Sequence, residues 1–130
     1  MKRVFFLSLL ISSVACKKSS SSSPSTTNAQ IEYEVKTTNA SSWSGIYLDA
    51  TDAATLVQPT SADWTVTFKN QVPSARYLTM QVTSLTPIDI NSPVGAIATI
   101  YVNGKIVKSD TASGYENQFI LPLAQYNLIP

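Results

Sequence analysis

Few side chains in this sequence can do covalent chemistry. There is one thiol, Cys16, and no histidine. A lone thiol can be acylated or oxidised, but it cannot close a disulfide within its own chain. Without imidazole, the commonest general base and the commonest zinc ligand are both missing. Serine is plentiful, yet a Ser-His-Asp relay cannot be assembled. Glu32 and Glu34 stand two apart, so on a strand they share a face. Paired carboxylates are the machinery of glycoside hydrolysis. These two oppose Ile31, Tyr33 and Val35, which marks theirs as the wet face of an amphipathic strand. Asp49 and Asp52 could begin a calcium loop, but that ion takes six or more oxygens and a sharp glycine turn. Two aspartates without a glycine read as turn caps. No catalytic residue, metal ligand or cofactor site is assigned, and the expectation is a protein that is not an enzyme.

The aromatic side chains offer a different chemistry. Trp43, Tyr47, Trp64, Tyr77, Tyr101, Tyr115 and Tyr126 could form a platform for a sugar or an acyl chain. Trp64 alternates with Val66 and Phe68, which puts it in a core. Tyr77 and Tyr101 fall on the polar side of their strands, so they are the candidate ligand-binding residues, and side by side they would make an exposed patch. Asp110-Thr111-Ala112 looks like an acceptor motif for bacterial O-glycosylation, and Asn39-Ala40-Ser41 matches the N-glycosylation pattern.

These residues need elements to position them. From Ile31 onward the chain shows short alternating runs separated by turn residues, the pattern of a sandwich or barrel. Strands are expected at Ile31–Lys36, Trp43–Leu48, Thr55–Val57 (stopped by Pro59), Trp64–Lys69, Tyr77–Leu85, Ala96–Val102, Lys105–Lys108 and Asn117–Leu121 (ended by Pro122). Asn103-Gly104 between two β-prone runs specifies a two-residue type I′ hairpin, because both residues tolerate positive φ. The sequence therefore predicts an all-β fold: a single antiparallel β-sandwich of seven or eight strands, immunoglobulin-like in broad architecture. A small closed barrel is the alternative.

Charge narrows the partners. From residue 31 on, five basic residues (Lys36, Lys69, Arg76, Lys105, Lys108) face eight acidic ones (Glu32, Glu34, Asp49, Asp52, Asp63, Asp89, Asp110, Glu116), a net charge of about −3. A nucleic-acid binder needs a basic stripe to displace counterions, and none is present.

The first residues read as an address. Lys2 and Arg3 precede the apolar run Val4–Ile11, and Ser12-Ser13-Val14-Ala15 supplies small residues before Cys16. That is the layout of a signal peptide, and the run is too short to span a bilayer as a helix. Ser13-Val14-Ala15-Cys16 resembles the lipobox of bacterial lipoproteins, with Ser13 where a leucine is usual. The resemblance implies a diacylglyceryl group on the Cys16 thiol, cleavage before Cys16 and further acylation of the new amine, by palmitate or a similar chain. Two or more acyl chains give stable anchoring. The expected organisation is a signal peptide at 1–15, a lipidated, Ser-rich, disordered tether at 16–30 and a β-sandwich domain at 31–130. As a flexible coil of about 14 residues the tether would reach about 20 Å. Its Lys17 and Lys18 could touch anionic head groups.

Ala98–Lys108 followed by Thr111–Tyr115 resembles the closing hairpin of the MmpS-like small membrane proteins and related bacterial lipoproteins. Tyr33-Glu34-Val35, Tyr47-Leu48-Asp49 and Trp64–Phe68 fall in the order of that family's strands. Asp63 stands where the family has a proline, and Asp52-Ala53 where it has a glycine. The resemblance implies an accessory β-sandwich serving an envelope exporter. The expected function is thus a membrane-anchored cell-envelope lipoprotein, outer-membrane in location and facing periplasm or surface, with an envelope protein as partner. The alternative is a lipoprotein binding a glycan or small ligand through exposed aromatics or a concave sheet face; aromatics in a groove favour it, and a flat apolar or charged face without a pocket favours the first reading.

Overall fold

A computed structural model describes residues 26–115 and 120–130. The signal peptide, Cys16 and residues 17–25 of the expected tether lie outside the described residues.

Eight strands form two four-stranded antiparallel sheets, the expected β-sandwich. They are β1 (Gln30–Thr38), β2 (Ala40–Leu48), β3 (Ala54–Thr60), β4 (Trp64–Lys69), β5 (Arg76–Pro87), β6 (Val94–Val102), β7 (Lys105–Gly114) and β8 (Leu123–Leu128). One sheet runs β4-β1-β6-β7 and the other β3-β2-β5-β8. Alternation fills the space between them. Ile31, Tyr33 and Val35 of β1, Leu78, Met80 and Val82 of β5, and Ala96, Ala98 and Ile100 of β6 are buried, while their sequence neighbours face out.

The chain changes sheet at five of its seven connections, all but the β2–β3 and β6–β7 hairpins. Between β1 and β2 the change takes one residue, Asn39, at φ 56°. Asparagine tolerates this left-handed backbone better than other residues with a side chain. The predicted hairpin forms, with Asn103 and Gly104 at φ 50° and 77°. Asn103 also bonds Gln30 twice, through its own N–H and through Oδ1, which pins the hairpin to β1.

One side of the core, beside the edge strand β4, is a run of aromatic rings. Trp43 packs edge-on to Trp64, Trp64 tilts against Tyr47, and Tyr33 stands edge-on to both Tyr47 and Phe68, with centroids 5.4–6.2 Å apart. Trp64 is therefore core, as its alternation predicts. Gly45 makes room for this cluster. A Cβ there would lie 2.7 Å from the Gln81 carbonyl oxygen and 2.9 Å from Met80 Cε.

Several boundaries differ from expectation. β3 continues through Pro59, which an edge strand tolerates because one of its sides makes no ladder bonds. β7 runs on to Gly114. The expected last strand falls partly on residues 117–119, outside the described residues, and Ile120 and Leu121 precede a strand rather than form one. Pro122 introduces β8 instead of ending a strand: it is buried, and its carbonyl accepts from the Val82 N–H at 3.0 Å. Finally, residues 26–30 were expected in the tether, yet Thr26–Ala29 dock on the domain. Thr26 Oγ1 donates to the Val72 and Ser74 carbonyls, the Asn28 N–H donates to the Asn70 carbonyl, and the Asn70 N–H donates to the Ala29 carbonyl. Polar side chains hold this stretch by hydrogen bonds, which apolar patterning does not reveal.

Candidate interaction surface

The carboxylates become turn and surface partners. Asp49 Oδ1 accepts from the N–H groups of Thr51 and Ala53 and from the Thr51 hydroxyl, an Asx-type turn cap. These bonds hold its carboxyl below the usual range. Asp52, at φ 72°, pairs with Arg76. Among the described residues no group of three His, Cys, Asp or Glu side chains could hold a metal. Glu32 and Glu34 share a face, but Glu34 is less open to water than expected. It pairs with Lys36 and accepts from the Tyr101 hydroxyl at 2.8 Å. The Lys36 and Tyr101 bonds lower the Glu34 carboxyl, and the carboxylate raises the Tyr101 phenol.

Tyr77 and Tyr101 do not meet. Tyr101 lies on β6, outward from the β4-β1-β6-β7 sheet and tied to Glu34. Tyr77 lies on β5, outward from the opposite sheet and 60% exposed. The rings sit on opposite faces of the sandwich, so the patch they would make together does not form.

A groove of about 220 Å³ opens on the outside of the first sheet, lined by Lys36, Thr38, Ile97, Thr111 and neighbouring β6 and β7 residues. No aromatic ring lines it. Thr111 of the Asp-Thr-Ala motif is exposed there, while Asp110 turns the other way and accepts from the Leu123 N–H at 2.8 Å.

At the end of the sandwich away from Thr26, the β5–β6 loop holds Ile88 and Ile90, both largely exposed. Asn39 organises this loop. Its Nδ2 donates to the carbonyls of Asp89, Ser92 and Pro93, and its Oδ1 accepts from the Asp89 N–H. The amide nitrogen of the Asn-Ala-Ser motif is thus engaged within the fold. Asn39→Ala should cost about 2 kcal/mol, combining the left-handed backbone with the loss of the loop's donors. Asn39→Gly keeps the backbone and should cost about half as much. Urea unfolding of the two variants checks this ordering, and equal losses would refute it.

The second sheet presents a different surface. Its outward positions are Ser42, Ser44, Ile46 and Leu48 on β2; Ala54, Leu56 and Gln58 on β3; Tyr77, Thr79, Gln81 and Thr83 on β5; and Leu123, Gln125 and Asn127 on β8. None is charged. Leu56 is 65% exposed and Leu123 40%. The first sheet carries Glu32, Glu34, Lys36 and Lys69 on its outer face. Sequence reasoning places Tyr77 outward, as the structure does, and misses the surface around it.

Loss of charge at a surface with exposed aromatic and aliphatic side chains is the compositional mark of a contact face. Fold and surface together define an all-β scaffold with one sheet whose outward positions carry no charge. No protein-family model, curated protein or solved structure matches this chain.

Proposed function

We propose that this chain is a bacterial envelope lipoprotein, cut before Cys16, acylated on that cysteine, and carrying a β-sandwich that acts as a non-enzymatic interaction module in an envelope assembly such as a transporter. The observation that carries the reading is the charge-free outer face of the β3-β2-β5-β8 sheet. A contact face of that kind binds by exclusion of water over a broad area and needs no cleft. The absence of histidine supports the non-enzymatic part. The glycan alternative asks for rings lining a groove, and the groove on the first sheet has none.

The chain enters the domain at Thr26, clasped by Asn70: Asn70 Nδ2 donates to the Thr26 carbonyl at 3.0 Å. A lipid on Cys16 therefore holds the sandwich by one end, and the uncharged face stands along its side. Cys16→Ala in the producing bacterium should accumulate uncleaved precursor or move the domain from the membrane pellet to the soluble fraction. Membrane fractionation with mass measurement reads this out. A processed, membrane-bound Cys16→Ala product sinks the lipid anchor.

A further inference from the structure

We infer that the uncharged face of the β3-β2-β5-β8 sheet receives the same face of a second copy of this chain, in a two-fold pair whose axis runs along the strands. This rests on the reading of the chain as a membrane-tethered binding module and names its partner.

Charge selects the face. The domain from residue 31 on carries a net charge of about −3, so two copies repel on approach. Through this sheet they meet without placing any charge at the contact, whereas the outer face of the other sheet would set Glu32 and Glu34 against their own images. A two-fold contact requires a patch complementary to itself.

The register places the two exposed leucines where a two-fold axis brings them together. Ile46 pairs with Leu56 on one side and Gln81 on the other, and Gln81 pairs with Leu123. Leu56, Ile46, Gln81 and Leu123 thus form one row across the sheet, with the exposed leucines at its two ends, about 14 Å apart at the usual strand spacing. A two-fold axis along the strands keeps every residue at its height and reverses the row. Each copy's Leu56 then covers the other's Leu123, and Ile46 covers Gln81. In the row beside it, Ala54 and Leu48 meet Gln125 and Thr79.

For a pair that stands upright on the membrane, the tether selects this axis over the perpendicular one. Rotation about the strand direction leaves both Thr26 ends on the same side, facing the membrane that holds both lipids. Rotation about the perpendicular axis would separate them by the length of the sandwich, about 40 Å for the 12 residues of β5. The ten residue steps from Cys16 to Thr26 span at most about 36 Å. The face measures roughly 20 Å by 25 Å, small beside the area of about 800 Å² per partner in standard interfaces. Confinement of both copies to one membrane raises their effective concentration and offsets that.

The test is cross-linking of the full chain in its own membranes with a short bis-maleimide. Gln81 lies next to the axis and Thr67 on the outer face of the other sheet. Gln81→Cys should give an adduct of twice the chain mass and Thr67→Cys should not. Adding Leu56→Glu to Gln81→Cys should reduce the adduct at least about tenfold, because the carboxylate is buried against an aliphatic side chain. Adding Leu123→Lys as well should restore it, since residues 56 and 123 face each other across the axis. Circular dichroism confirms that these exposed substitutions leave the fold intact. No adduct from Gln81→Cys, or equal adducts from both positions, overturns the inference. An adduct of another mass means that a different protein covers the face; the second-copy inference then fails while the interaction-module reading stands. A dimer formed by the unsubstituted chain would have to join through a free Cys16 thiol, and would overturn the lipid reading beneath both.

Discussion

Replacing Trp43 by alanine should remove about 4 kcal/mol of stability, close to half of what a domain of this size usually has. Trp43 is completely buried and is the largest side chain so placed. Its truncation leaves a cavity between the sheets, strips Trp64 of its edge-on partner and orphans the Ala62 carbonyl, which accepts from Trp43 Nε1 at 2.9 Å. Collapse around the site is limited, because β2 is hydrogen-bonded on both sides, to β3 and β5. Trp64, half-buried on the edge strand β4, should cost about half as much when truncated. Thr65→Ala, which points outward beside it, should change stability by less than about 0.5 kcal/mol. Since 1 kcal/mol moves the midpoint of a domain this size by about 4–8 °C, Trp43→Ala should lower Tm by at least about 15 °C. Thermal unfolding followed by far-ultraviolet circular dichroism distinguishes the three. A Trp43→Ala loss no larger than that of Trp64→Ala would contradict the packing described for β2.

Much of this core is legible as alternation. Trp64, Val66 and Phe68 announce an inward face because each is flanked by threonine, lysine or aspartate, and the structure seats them against the other rings. Asn103-Gly104 is equally plain, because two consecutive positive φ values exclude most other residue pairs. Prolines mislead. Pro59 and Pro122 read as stops, but a proline's missing N–H matters only where a neighbouring strand needs the donor. At Pro59 the strand is an edge, and at Pro122 the carbonyl makes the contact. With Pro122 taken as an end, the alternation of Ala124, Tyr126 and Leu128 in β8 went unread.

The uncharged face is hidden for a different reason. Each strand's pattern names its outward residues, but no local pattern says which strands share a sheet. Tyr77 and Tyr101 both read as outward, and both are, on opposite sides of the molecule. The missing charge becomes visible only when β2, β3, β5 and β8 are laid side by side, because each alone contributes three or four neutral residues. The Asn39 crossover is similarly illegible, since its amide reaches residues 50 or more positions away.

Asp52→Asn, a change at a half-exposed loop residue, should destabilise the domain by about 2–3 kcal/mol, more than removing the buried arginine that it faces. The Arg76 side chain is 2% exposed. Its Nη1 donates to Asn70 Oδ1 at 3.0 Å, and Asp52 Oδ1 lies 3.1 Å from Nη2. That approach lacks the geometry of a directed bond, and Nε and Nη2 are buried without a hydrogen-bond acceptor. The carboxylate thus acts through its charge, and it is the counter-ion of a guanidinium removed from water. The nearby Tyr33 phenol gives no such compensation. Burial pushes its ionisation above the ordinary range, against the pull of Arg76, so it stays neutral at pH 7. Asparagine at position 52 keeps the shape and tolerates the φ of 72° there, leaving the charge as the only loss. Arg76→Met removes the charge that needs compensation and keeps most of the volume, so its cost should stay near 1 kcal/mol despite the lost bond to Asn70. The double variant should match Arg76→Met alone, because Asp52 then has no charge to neutralise. Urea unfolding of the four proteins measures the cycle. If Asp52→Asn costs under about 0.5 kcal/mol, the pair is an ordinary surface salt bridge, and the guanidinium is solvated more fully than its burial indicates.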